Sequence, residues 1–179
     1  DVHRTGSRVG RQSGGGQPAC PHRPPCPGCP RYGEPDISTA ARSTLEALAH
    51  LHGLADVPVV SGATSAFRLR ARLAIRGRQG APKIGMFQLG SHRVVPIPNC
   101  SVQHPLINRV VAVVRRALVD ADVTPYSEAN HAGLARYLQV VVERRSRSAQ
   151  VVLVASSATV EPLASCLDLV RERLGDELH

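Results

Sequence analysis

The stretch "FRLRARLAIRGR", residues 67–78, decides how the rest of the chain is read. Phe67, Leu69, Ala71, Leu73 and Ile75 alternate with Arg68, Arg70, Arg72, Ala74 and Arg76. A period of two is the signature of a β-strand with one buried and one exposed face. Here the exposed face is a row of arginines.

The pattern repeats outward from that strand. "KIGMFQLGSHRVVPIPNC" (83–100) reads as one or two further strands with a turn at Gly90-Ser91, completing an antiparallel hairpin. Pro105 suits the first turn of a helix whose stripe is Leu106, Val110, Val113, Val114 and Ala117. "YLQVVVERRSRSAQVVLVAS" (137–156) predicts a second hairpin turning near Ser146 to Ser148. A last helix carries Val160, Leu163, Ala164, Leu167, Val170 and Leu174, with Gly175 to end it. Upstream, Ala41, Leu45, Leu48 and Ala49 recur at helical spacing between Ser38 as cap and Gly53 as stop. The expected order is helix, hairpin, helix, hairpin, helix. That is an α+β fold, helices packed on a mainly antiparallel sheet.

The 179 residues carry a net charge of +8 and contain no apolar run long enough to span a bilayer. No basic stretch leads into an apolar core near the start, so no signal peptide is read there. A pI near 10.1 points to a polyanionic partner, nucleic acid first. Almost all the positive charge is arginine, with Lys83 the single lysine. Residues 1–19 are rich in Gly, Ser and Arg and read as a linker or the end of a preceding domain. Gly14-Gly15-Gly16 lacks the strand before it and the Gly-Lys-Ser/Thr after it that a phosphate loop needs.

Chemistry is concentrated in "CPHRPPCPGCP", residues 20–30. Cys20, Cys26 and Cys29 lie on one proline-stiffened loop, and Cys100 follows far along the chain. An odd total of five cysteines and no secretion signal favour a reducing, cytoplasmic setting in which clustered thiols are ligands. Four thiolates suit a tetrahedral zinc or an iron–sulfur cluster. Zinc sites usually come as two close pairs, and the second pair is missing. Spacing alone leaves cluster, zinc and an ordinary buried Cys100 all open. His22 lies between ligand candidates and is read as touching a ligand sulfur, not as a ligand. Cys166 sits on the last helix among acidic residues and is read as structural.

The cysteine spacing, together with "FRLRARLAI", "KIGMFQLGSHRVVPIPNC" and "QHPLIN", resembles the S-adenosylmethionine-dependent RNA uracil-5-methyltransferases. The similarity runs from about Cys20 to Glu177. It points to the large-subunit ribosomal RNA branch, which carries a 4Fe–4S cluster. The resemblance implies Cys20, Cys26, Cys29 and Cys100 as cluster ligands and an RNA-holding role for the region. Where that family usually has Cys-Gly-Gly-Cys, this chain has "CPGC", with Pro27 in the first glycine's place. No glycine-rich S-adenosylmethionine loop and no Asp-Pro-Pro-Arg nucleophile motif occurs. The chain is therefore expected to be a fragment lacking the C-terminal Rossmann-like methyltransferase domain, with neither a donor site nor a catalytic residue of its own. Residues 20–56 are expected to form the cluster loop and helix, and 57–179 the central RNA-contacting region, incomplete at its C-terminal end.

From Val57 to Val119 there is no acidic residue. A row of like charges on a strand repels itself and is best explained by phosphates that neutralise it. Arg68, Arg70, Arg72, Arg76, Arg78, Lys83, His92 and Arg93 are the expected RNA contacts. Arg115 and Arg116 are read as solvent-facing. Phe67 and Phe87 are expected in the core, and Tyr126 and Tyr137 open, with Tyr137 beside Arg136 a stacking candidate. The acidic last helix should face away from RNA. The expected parent is a monomeric, cytoplasmic RNA methyltransferase acting on ribosomal RNA, with no membrane or protein partner implied. The competing expectation is a stand-alone zinc or iron–sulfur nucleic-acid module without activity, and an electron-transfer protein is the third.

Overall fold

The computed structural model describes residues 20–32, 34, 37–55 and 57–179. The expectations placed on residues 1–19 lie outside them. Among the described residues no helix is long and apolar enough to cross a membrane. The chain divides into two compact units, one including 31–60 and the other formed by Cys20–Pro30 with Ser61–His179.

The smaller unit holds helix α1, Thr39–Leu51. Ser38 caps it, its hydroxyl accepting from the Ala41 N–H at 3.1 Å, and this satisfies one of the orphan donors of the first turn. Gly53 follows the C-cap at φ +63°, where a residue without Cβ ends the helix without strain. Cap and stop are as the sequence predicts. No residue of α1 is buried within the structure.

The larger unit is built on β1 (Arg70–Arg78), β2 (Ala81–Phe87), β3 (Val94–Pro96), β4 (Ala135–Val142) and β5 (Ala149–Ala155). The order β3-β2-β1-β4-β5 puts β1 at the centre, and every neighbouring pair is antiparallel. Helices α2 (Pro105–Asp120) and α3 (Glu161–Leu174) pack together, and α2 packs on β2, β4 and β5. Leu73, Ile75, Ile84, Leu138 and Val140 from the sheet meet Ile107, Val110, Val114, Leu163 and Val170 from the helices in one core. Period-two alternation in β1 and β4 and helical alternation in α2 all aim at this layer. Gly85 is required where β2 and β3 approach, since a Cβ there would lie 1.9 Å from the Val95 carbonyl oxygen.

Three placements differ from expectation. Phe67 is 45% exposed because β1 begins only at Arg70. The chain turns at Ala66 (φ +53°), and Arg68 then runs beside residues 102–104. Phe87 is not in the core. Ile84 fixes the parity of β2, so Phe87 falls on the side away from the helices. Tyr126, expected to be open, is buried at 9% exposure.

In α3 the buried positions are Leu163, Cys166, Val170 and Leu174, while Leu167 is 37% exposed. Cys166 takes the core position that the sequence gives to Leu167. Burial pushes its thiol up to about 11, and the Arg173 charge pulls the other way. Desolvation, not acidic neighbours, is the cause. A thiol in this state is almost wholly protonated at pH 8 and cut off from reagent. Iodoacetamide at pH 8 should leave Cys166 unmodified in the native protein and alkylate it only in denaturant, as read by mass spectrometry of the peptide. Native-state alkylation would mean that α3 packs otherwise.

Candidate nucleic-acid interface and thiol site

The face of the sheet away from α2 and α3 carries the arginine row. Registers Arg70↔Val141, Arg72↔Gln139, Ala74↔Tyr137 and Arg76↔Lys83 place these residues on one side. Arg70, Arg72, Arg78 and Lys83 are exposed and, among the described residues, form no ion pair. His92 and Arg93 are exposed in the β2–β3 turn. Arg109, by contrast, is paired to Glu177 at 2.6 Å, and Arg116 to Asp120 at 3.0 Å. Arg115 is exposed as expected but donates to the Pro82 carbonyl at 3.2 Å.

Arg76 lies on the arginine face yet is only 8% exposed. Its guanidinium donates to Glu128 Oε1 at 2.5 Å, to the Ile75 carbonyl at 2.7 Å and to the Arg136 carbonyl at 3.0 Å. It also lies 5.2, 5.8 and 5.4 Å from the ring centres of Phe87, Tyr126 and Tyr137. A buried guanidinium needs this many partners, because desolvation would otherwise cost more than the charge returns. Burial raises the Glu128 carboxyl, but the Arg136 hydrogen bond and the Arg76 and Arg136 charges hold it below its usual range. Arg76 is therefore engaged within the fold, sharing Glu128 with Arg136.

A β-bulge makes this arrangement possible. Ala135 pairs with Ala155 and Tyr137 with Val154, so Arg136 is an extra residue in β4. Arg136 and Tyr137, consecutive in sequence, thus both reach the same cluster. Arg136 sits 4.5 Å from the Tyr126 ring centre and bonds Glu128 Oε1 at 3.3 Å, while Arg72 lies 4.9 Å over Tyr137. Sequence reading missed Tyr126, Glu128 and Phe87 as parts of this face. The loop carrying Glu128 reaches the sheet only through tertiary folding, although Arg136-Tyr137 gave a local hint.

The cysteine loop belongs to the same unit as the sheet. Cys26 and Cys100 both pack against the common core. Asn108, from the first turn of α2, clamps Cys100 at both backbone groups, accepting from its N–H and donating to its carbonyl, each at 3.1 Å. Arg68 donates to the Gly28 carbonyl at 3.4 Å, and its own backbone bonds Val102 and His104 at 2.9 Å. It thereby ties the loop to the segment after Cys100. Within the loop, the Cys26 N–H reaches the His22 carbonyl at 2.8 Å, and Gly28 N–H lies 3.4 Å from Cys26 Sγ. His22 is buried, with Nδ1 3.8 Å from Cys20 Sγ, so it touches a thiol as expected.

Burial raises the Cys29 thiol, and Arg68 opposes that rise; thiolates at Cys100, Cys20 and Cys26 would raise it further. Cys29 therefore lies within electrostatic reach of the other three thiols. Among the described residues, however, no three His, Cys, Asp or Glu side chains converge closely enough to share one metal ion. Tetrahedral zinc with bonds of about 2.3 Å needs sulfurs about 3.8 Å apart. No three of the described thiols meet that spacing, and an all-thiol donor set is the chemistry that zinc and iron–sulfur clusters share.

No protein-family model matches the chain. It is 37% identical over 142 residues to an uncharacterized RNA methyltransferase of Protochlamydia amoebophila, covering 76% of this chain and 34% of the relative. A protein of the same description from Geobacter sulfurreducens is 33% identical over 147 residues, covering 77% of this chain and 29% of the relative. Another, from Gloeobacter violaceus, is 28% identical over 174 residues, covering 88% and 38%. The chain spans about a third of the length of these curated relatives. Most of this sequence is thus homologous to one part of proteins named as RNA methyltransferases.

Proposed function

We propose that this chain is the cluster-bearing, RNA-contacting part of an S-adenosylmethionine-dependent RNA uracil-5-methyltransferase acting on ribosomal RNA. The observation that carries the reading is the packing of Cys26, from a three-thiol loop, and Cys100 against one core, in a unit whose open face is cationic. Cys20, Cys26, Cys29 and Cys100 would hold a 4Fe–4S cluster, which supplies a cross-link between the loop and the sheet. Arg68 bonds the loop backbone, and its charge opposes the rise of the Cys29 thiol. The relatives' name supports the methyltransferase part of the proposal.

Uracil-5 methylation needs a thiolate that adds to C6 of the base. Four of this chain's cysteines are assigned to the cluster, and the fifth, Cys166, is buried with its thiol at about 11. Methyl transfer is accordingly proposed for the whole protein, with RNA affinity and positioning supplied here. Arg70, Arg72, Arg78 and Lys83 are the phosphate contacts, since their charges are not met within the described residues.

Protein purified without oxygen should be brown and contain iron and acid-labile sulfide in equal amounts. Cys20→Ser, Cys26→Ser, Cys29→Ser or Cys100→Ser should bleach it, while Cys166→Ser should not. Stoichiometric zinc without sulfide would overturn the cluster assignment and favour a zinc-bearing module. RNA affinity should fall steeply with salt. If about four phosphates are neutralised, log K changes by about −3 per decade of salt for a single strand. Replacing Arg70, Arg72 and Lys83 together by Ser should flatten that slope by about 2. An unchanged slope would put the phosphate contacts elsewhere on the molecule.

A further inference from the structure

The chain has three Tyr, two Phe and no Trp, yet three of these five rings, Phe87, Tyr126 and Tyr137, gather at one place on the open face. On a solvent-facing sheet surface apolar rings are costly unless something covers them. Part of the explanation is internal, because the rings surround Arg76 and keep the loop bearing Glu128 on the sheet. Tyr126 is used up by that role, being buried and bonded through its hydroxyl to His131 at 3.2 Å.

Phe87 and Tyr137 share that role with less burial. Both stay partly exposed and meet edge to face, ring centres 6.4 Å apart, with His92 5.9 Å from Phe87. Arg72 lies over Tyr137 with its guanidinium exposed. These groups come from β2, β1 and β4, so they form a band running across three adjacent strands. Exposed cations flank the band at Arg70, Arg78 and Lys83. At one end a pocket of about 270 Å³ opens between His92, Arg76 and Glu128. Flat π surfaces inside a cationic frame complement a ligand with flat apolar faces joined by phosphates.

We propose that Tyr137, Arg72 and Phe87 form a stacking platform for unpaired bases of single-stranded RNA. The inference rests on the RNA-binding reading above and adds to it that the strand is bound unpaired, with its bases turned toward the sheet. In a duplex the base faces are hidden, and only the phosphates could reach this surface. Stacking is tolerant of sequence, and the Tyr137 and Phe87 rings add to the phosphate contacts without adding counterion release.

The test compares a short single-stranded RNA with a fully paired RNA of the same length, using the whole chain. Tyr137→Leu should weaken single-strand binding roughly 5- to 150-fold. The salt slope and duplex affinity should remain as in the wild type. Tyr137→Phe should bind as the wild type does. A 2-aminopurine in the single strand should lose fluorescence on binding wild-type protein, a readout that does not depend on any variant folding. Unquenched 2-aminopurine with intact RNA binding, or Tyr137→Leu binding both RNAs like the wild type, would overturn the platform and leave phosphate binding standing. Wild-type protein that binds no RNA at all would overturn both.

Discussion

The Arg76–Glu128 contact holds the two halves of the open face together. β1 is the central strand, paired on both edges, so its alternation is imposed on the whole sheet. Leu73 and Ile75 must face α2, and Arg72 and Arg76 must then face the other way. Among the described residues of this unit no helix covers that second face, and a guanidinium buried among rings there needs an acid. Glu128 supplies it at 2.5 Å, bringing its loop over the end of the sheet, and the bulge at Arg136 lets β4 contribute Arg136 and Tyr137 beside it. Removing the carboxylate would leave the buried Arg76 guanidinium without its ionic partner, which is destabilising.

The thiol loop depends on the same central strand from its other end. Residues 66–68, just before β1, run beside 101–104, just before α2. Cys100 and the loop of Cys20 to Cys29 are thereby held near the same edge of the core. Asn108 fixes one, Arg68 the other. Arg68, just before β1, bonds the thiol loop, whereas Arg70, Arg72 and Arg78 within β1 are exposed.

What the sequence made legible is what local physics determines. Ser38 and Gly53 bound α1, Pro105 opens α2, Gly175 closes α3, and the two hairpins turn where their residues predict. What it hid depends on distant parts of the chain. Arg76 reads as one more exposed arginine, because its acid is 52 positions away. Phe87 fits either face of a short strand until Ile84 is seen in the core. Cys166 and Leu167 are adjacent on an apolar arc, and only packing against α2 decides which of them turns inward. The spacing of the four cysteines is legible, whereas the bond from Arg68 to their loop is not.

The central claim is that the open face, not the helical face, is where RNA lies. Ultraviolet cross-linking of the whole chain to single-stranded RNA, followed by mass spectrometry of the linked peptides, reads this directly. The account predicts adducts within 70–78, 83–93 and 135–141, with Tyr137 among them, and none in α3. Adducts concentrated on α3, or on the outer side of α2 at Arg115 and Arg116, would contradict it.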